Sequence, residues 1–318
     1  MLEGSLKYTF RFPDSCNMCG AGQDRFNVLG MRLNKGQGFR PKQLTGIAVG
    51  VRQCGNCGLI FADPQPEPEH FEDHYGDSDA FWREDYFRDD PDYFATEIAE
   101  AQSLIGDAAR PKALDIGAGI GKAMRSLAAA GFETFGIEPS EKFRNLALQA
   151  GADPARLILA GIEDASFEPE SFDFITFGAV LEHLPSPSEA LRRALEWLKP
   201  GGIIQAEVPS SKWLISRLAN LYFRLRGTNY VTNISPMHSP FHLFEFGLRS
   251  FELHGSRCGY EVALHRYSVC EIPYFPRLID PLLRWWMERT NSGMQLTVYL
   301  RKVGREAGPV TKSGRSGK

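Results

Sequence analysis

What this chain lacks already narrows its class. No stretch approaches the roughly 20 apolar residues that a membrane-spanning helix requires. Excess charge of either sign is missing: 36 Lys and Arg stand against 39 Asp and Glu, for a net charge of −3. General electrostatic attraction to nucleic acid is therefore not expected. A basic-then-apolar leader is absent from Met1-Leu2-Glu3-Gly4-Ser5-Leu6-Lys7, so a cytoplasmic protein is expected. Cysteine is scarce, with six in 318 residues. In that compartment such thiols are metal-bound or free more often than disulfide-bonded. Hydrophobic content of 43% and charged content of 24% are ordinary for a globular protein, and the length suits one large domain with a small one.

Four of the six cysteines form a pattern. Cys16-Asn17-Met18-Cys19-Gly20 and Cys54-Gly55-Asn56-Cys57-Gly58 are two Cys-x-x-Cys-Gly knuckles, with 34 residues between Cys19 and Cys54. Four thiolates suit tetrahedral zinc, and each trailing glycine permits a tight turn. A segment this small buries little core, so a metal would compensate. Free cysteines or a redox pair are the bland alternative. The reading is a zinc-ribbon-like unit over residues 1–62, with Cys16, Cys19, Cys54 and Cys57 as ligands of structural zinc.

The stretch Ala113-Leu114-Asp115-Ile116-Gly117-Ala118-Gly119-Ile120-Gly121-Lys122 organises the rest. A strand-like run ends in three alternate glycines, and a helical pattern follows. Without Cβ atoms the backbone can turn sharply and pass close to a ligand, and the helix start presents unpaired N–H groups. The pattern is Asp-x-Gly-x-Gly-x-Gly, which differs from the Gly-x-Gly-x-x-Gly dinucleotide fingerprint. A tight turn with no ligand is the plain alternative. Phe135-Gly136-Ile137-Glu138-Pro139 reads as a second strand ending in an acid, 17 residues after Gly121, where such sites place a carboxylate for ribose hydroxyls. A third strand, Ser171 to Phe177, runs into Val180-Leu181-Glu182-His183-Leu184. Leu198-Lys199-Pro200-Gly201-Gly202 then leads into Ile203 to Val208.

These four ordered blocks resemble a class I S-adenosylmethionine-dependent methyltransferase. The resemblance is firm over Ala113–Val208 and extends toward Val303. It implies an α/β fold: a Rossmann-like, seven-stranded, mostly parallel sheet with helices on both faces, preceded by the zinc-ribbon-like unit. The run Cys57-Gly58-Leu59-Ile60-Phe61-Ala62-Asp63-Pro64-Gln65-Pro66 further resembles the knuckle preface of bacterial small-molecule methyltransferases, some of which act on sugars.

Alternating patterns from Lys112 predict strands at 112–116, 133–138, 156–160, 172–177 and 202–208, and helices at 121–130, 140–150, 187–198 and 211–225. A helix over Phe246–Cys258 and an antiparallel edge pair, Glu261–Tyr267 with Gln295–Lys302, would complete the sheet. The expected divisions are a helical and aromatic cap at 63–110, the methyltransferase domain at 111–303, a substrate-covering insertion within 226–290, and a disordered tail at 304–318. Tyr75 and Tyr86 are the cap residues singled out for the pocket. Pro273–Thr290, with Trp285-Trp286, could be a lid, a homodimer face or a membrane-surface helix.

The resemblance also assigns roles. S-adenosylmethionine is the co-substrate. Asp115 would orient the glycine turn or contact the donor's amino-acid part, and Gly117, Gly119 and Gly121 would let the backbone approach its methionine and ribose portions. Glu138 would accept from the ribose diol, Ile162 and Glu163 would clamp the adenine, and Ala118, Pro139 and Phe177 would join them as cofactor-binding residues. Gly161 stands where relatives carry an acid, which leaves Asp164 as an alternative adenine contact. The sulfonium methyl is already electrophilic, so the protein must align a nucleophile, exclude water and remove at most one proton. His183 follows the strand where the pocket opens. It can serve as a base or as an orienting group, and both readings stand. His238 and His242, on the 226–246 loop, are rival bases. The acceptor is expected to be a small-molecule hydroxyl, of a sugar or another metabolite. The partial resemblance to zinc-containing sugar C-methyltransferases leads one to expect an extra C-terminal domain, and on that expectation C-methylation of a sugar ranks behind O-methylation. Two further readings stand beside these: an RNA methyltransferase that grips its substrate by the ribbon, and a non-catalytic donor-binding scaffold.

Overall fold

The computed structural model describes residues 8–33, 48–69, 90, 92–106, 109–237, 241–270, 272, 273 and 275–303. Tyr75, Tyr86, His238 and the 304–318 tail lie outside the described residues. The N-terminal strands are β1 (Tyr8–Arg11), β2 (Phe26–Leu33), β3 (Ala48–Cys54), β4 (Ile60–Asp63) and β5 (Gln65–Pro68). β2, β3 and β4 form an antiparallel ladder, while β1 pairs separately with β5. Val49, Val51, Leu59, Ile60, Phe61 and Ala62 are buried and join the main core, so this unit has no separate interior.

Beyond it come α1 (Ala95–Ile105), β6 (Lys112–Ile116), α2 (Lys122–Ala129), β7 (Glu133–Glu138), α3 (Glu141–Gln149), β8 (Leu157–Leu159), β9 (Phe172–Gly178), α4 (Pro187–Trp197) and β10 (Leu198–Pro209). Then follow α5 (Leu214–Leu225), β11 (Phe244–Glu245), α6 (Leu248–Cys258), β12 (Tyr260–Ser268), α7 (Asp280–Thr290) and β13 (Gln295–Lys302). The large sheet has the order β12-β13-β10-β9-β6-β7-β8. β10, β9, β6, β7 and β8 are parallel, and β13 runs antiparallel to both of its neighbours. This is the seven-stranded, mostly parallel sheet with helices that the sequence implied. Its central strands are apolar on both faces because helices cover both. Leu114, Phe174, Ile175 and Phe177 are fully buried. Trimming one such Leu to Ala costs about 2–5 kcal/mol.

Two boundaries moved for clear reasons. α5 starts at Leu214 rather than at 211, because Ser210 bridges Phe246 and the Ser211 N–H donates to the Phe246 carbonyl at 2.9 Å. β10 starts at Leu198, with a register shift before Ile203 at the Gly201-Gly202 step.

The chain order reverses between β6 and β9. In an open parallel sheet the crevice beyond the carboxyl ends at that reversal is where ligands bind. Several contacts tie the N-terminal unit to the loop after β9. Asn17 Oδ1 accepts from the Ser188 N–H at 2.8 Å and Asn17 Nδ2 donates to Ser186 Oγ at 3.1 Å, so a knuckle residue caps α4 from a distance. Arg11 donates to the Pro185 carbonyl at 2.7 Å. β11 adds itself to the free edge of β4.

Candidate active site

The glycine turn is held from below and from the side. The N–H groups of Gly117 and Ala118 both donate to the Ile137 carbonyl, at 2.9 and 3.0 Å. Gly117 adopts φ +73°, and a Cβ there would lie 2.7 Å from Val180 Cγ2, so the position admits no side chain. Gly121, at φ +74°, is the residue from which α2 departs. Glu138 closes the side. Its Oε2 accepts from the Gly119 N–H and its Oε1 from the Ser140 N–H, each at 2.8 Å. The carboxylate thus fixes the turn, and each oxygen keeps capacity for a further hydrogen bond. Burial raises its pKa, opposed by these two N–H groups. Asp115 ends the adjacent strand, 4% exposed, and burial together with the charge of Glu138 pushes it up to about 7.

The other sequence-derived donor residues are less uniformly placed. Ala118 is buried in the turn and Pro139 is exposed beside Glu138. Ile162 is buried, and its carbonyl accepts from Arg193 at 3.3 Å. The exposed Glu163 folds back over Gly161, where a Cβ would lie 2.9 Å from its Cδ. A groove of about 470 Å³ beside it is lined by Glu163, Asp164, Arg193 and Trp197, and includes none of the glycine turn. Phe177 is fully buried within the main core.

Past β9 the chain turns sharply, with Ala179 at φ +55°. His183 donates its backbone N–H to the carbonyl of Val180, the residue that touches Gly117. The His183 Nδ1 meets the Phe241 carbonyl in a short hydrogen bond, and its ring stands 4.8 Å from that of His242. Burial pushes the imidazole of His183 down to about 4, with the Phe241 carbonyl opposing. Beside both rings lies Glu182, its Oε1 3.9 Å from His183 Nε2 and 4.0 Å from His242 Nε2, which burial and the charge of Glu207 push up to about 8. The loop carrying His242 is anchored from both sides. Leu243 donates to the Glu182 carbonyl at 2.7 Å and accepts from the Ala62 N–H of β4 at 3.0 Å. Glu245 accepts from Asn233 Nδ2 and from the Ile234 N–H, each at 2.7 Å, which holds the preceding turn. Glu182, Glu245 and Asn17 received no role from the sequence. Glu182 could have been noticed as an acid beside a histidine at a strand end. The other two carry no local signal.

At the knuckles the turns repeat each other. The Gly20 N–H donates to the Cys16 carbonyl and the Gly58 N–H to the Cys54 carbonyl, both at 2.8 Å, with φ of +72° and +80°. Cys16 Sγ lies 3.5 Å from Cys57 Sγ, and Cys19 Sγ lies 3.6 Å from Cys54 Sγ. All four sulfurs fall within 4.8 Å of one another. A tetrahedral zinc with Zn–S of about 2.3 Å separates its sulfurs by about 3.8 Å, so the four thiols fit such an ion with little movement. As thiols they cannot all ionise together. The hydrogen bond from Cys57 pulls Cys16 down to about 6, while burial pushes Cys54 up to about 11. A divalent ion would remove that conflict by stabilising every thiolate at once.

Residues 114–206 match a family described as a methyltransferase domain. The chain is 25% identical over 198 residues to a ubiquinone biosynthesis O-methyltransferase of Azoarcus sp. (strain BH72), covering 61% of this chain and 78% of that protein. It is 33% identical over 131 residues to the protein of that name from Proteus mirabilis (strain HI4320), covering 39% of this chain and only 51% of that protein. Among solved structures, a SAM-dependent methyltransferase from Methanosarcina mazei aligns at 19% identity with a TM-score of 0.45, over 62% of this chain and 94% of that one. The matched residues begin inside β6 and end inside β10, around the glycine turn and Glu138, so this span of the chain matches a methyltransferase domain.

Proposed function

We propose that this protein transfers the methyl group of S-adenosylmethionine to an oxygen of a small-molecule acceptor. The observation that carries the reading is the carboxylate of Glu138, pinned by the N–H groups of Gly119 and Ser140 beside a turn with no side chains in the way. In this reading Glu138 accepts the two ribose hydroxyls, the backbone of Gly117 to Gly121 lies along the ribose and methionine portions, Asp115 supports the turn, and Ile162 and Glu163 border the adenine. The two relatives named above are O-methyltransferases, which supports oxygen as the methylated atom. The near-balanced charge supports a small acceptor over a nucleic acid. His183 and His242 are the groups an acceptor hydroxyl meets as it approaches from the loop side. The knuckle unit, 1–62, would support that loop, and the 226–290 segment would cover the acceptor.

The test is calorimetric titration of the protein with S-adenosylmethionine and S-adenosylhomocysteine. Micromolar or tighter binding that is weakened by about 100-fold in Glu138→Ala is the expected result. A folded protein that binds neither molecule overturns the reading.

A further inference from the structure

Glu182, His183 and His242 come from two segments about 60 residues apart, yet their ligand-type atoms lie within 4.8 Å of one another. Glu182 Oε1 stands 3.9 Å from His183 Nε2 and 4.0 Å from His242 Nε2. Donors about 2.1 Å from a shared ion sit roughly 3–3.5 Å apart, so each Glu182–histidine pair would need to contract by about 0.4–1 Å to hold one. The second oxygen of Glu182 has no hydrogen-bond partner among the described residues, although the residue is 2% exposed. A buried carboxylate with an unmet oxygen is costly unless something cationic meets it. The Phe241 carbonyl accepts from the Nδ1 side of His183, which leaves Nε2 as the lone-pair nitrogen turned toward Glu182. A ring nitrogen fixed in this way is the usual support of a ligating imidazole.

We propose that Glu182, His183 and His242 bind a divalent first-row transition ion through one carboxylate oxygen and two imidazole nitrogens. Such a set suits borderline ions and differs in softness from the four knuckle thiols. Side-chain exposure rises from 3% at Glu182 to 11% at His183 and 25% at His242, so an ion enters across His242. Three protein ligands leave coordination positions open. Its use rests on the methyl-transfer reading above. An acceptor hydroxyl at an open position would release its proton to water, its oxygen would take the methyl group, and the donor sulfur would keep the electron pair of the broken S–C bond.

The test uses the full, zinc-loaded chain titrated with Co²⁺. One added equivalent is expected, giving visible d–d bands without the near-ultraviolet charge-transfer band of a cobalt thiolate. Glu182→Gln and His242→Gln should lose that equivalent while retaining zinc and circular dichroism. His242→Cys should bind cobalt and gain the charge-transfer band, which a merely structural histidine would not produce. No added equivalent in the wild type overturns the proposal. So does binding unchanged in the Gln variants, or a charge-transfer band in the wild type. Donor titration of the same samples reads the methyl-transfer proposal separately, because donor binding without cobalt sinks only the metal site, and cobalt binding without donor binding sinks only the reaction.

Discussion

Two groups of ligand-type side chains sit in this molecule, each gathered within 4.8 Å, and they are built in opposite ways. The knuckle thiols come from two short repeats whose turns are the same, glycine for glycine. The Glu182, His183 and His242 group has no repeat behind it. Its members meet because a loop after β9 and a loop before β11 are held together by Leu243. The first group needs only local geometry, whereas the second needs the whole sheet. The same contrast divides two buried carboxylates. Glu138 has both oxygens engaged by backbone N–H groups, so its role in shaping the turn is built in. Glu182 has one oxygen without a partner among the described residues, which is one of the observations behind the proposed ion.

The strongest way to break this comparison is at the knuckles. Cys57→Ser should abolish zinc retention and, because β4 and Asn17 brace the loops of the second group, should disturb that group as well. A fall in melting temperature on the order of 10 °C is expected, read by calorimetry alongside metal content. An unchanged melting curve would mean that the two groups are independent. Second in size is a pH effect at the glycine turn. The folded pKa of Asp115 is raised to about 7, so the folded state holds this proton more tightly than the unfolded state does. Its contribution to stability is full below about pH 4 and is lost as pH rises through about 7, for a total of up to about 4 kcal/mol. Asp115→Asn should flatten the decline of the urea midpoint between pH 5 and 8.

Third is Glu138→Ala, which should weaken donor binding by about 100-fold, a loss of two charge-assisted hydrogen bonds. Zinc content should not change, and calorimetry with S-adenosylhomocysteine reads both the site and its separateness from the knuckles. The smallest expected effect sharpens the link between the regions. Asn17→Ala removes the distant cap of α4 and should cost about 1 kcal/mol, measured by urea denaturation, with zinc retained.

Much of the sheet is legible in the amino-acid pattern because parallel strands covered on both faces are short apolar runs, and their turns are marked by glycine and proline. Leu114, Ile175 and Ile204 announce themselves in this way. The glycine turn and the knuckles are legible for a related reason, since each is a contiguous motif whose residue types answer a local steric demand. β11 is not legible. Two residues, Phe244 and Glu245, carry no periodicity, and their pairing with Phe61 and Ile60 spans over 180 positions. The pattern misplaces the start of α5 because Ser210 and Ser211 have their backbone partners in Phe246, far along the chain. His183 and His242 each stand out, but nothing in the sequence joins them through Glu182.

By itself, the sequence determined which segments become strands, where the chain must turn without side chains, and that four thiols could gather at two like turns. Those outcomes follow from periodicity, glycine conformation and residue chemistry acting within a few positions. Only the tertiary structure decided that a knuckle asparagine caps α4, that β11 completes the knuckle sheet, and that one glutamate and two histidines gather within 4.8 Å. Those contacts join residues separated by about 60 to 180 positions, where no local preference reaches and only the packing of the finished sheet brings the groups together.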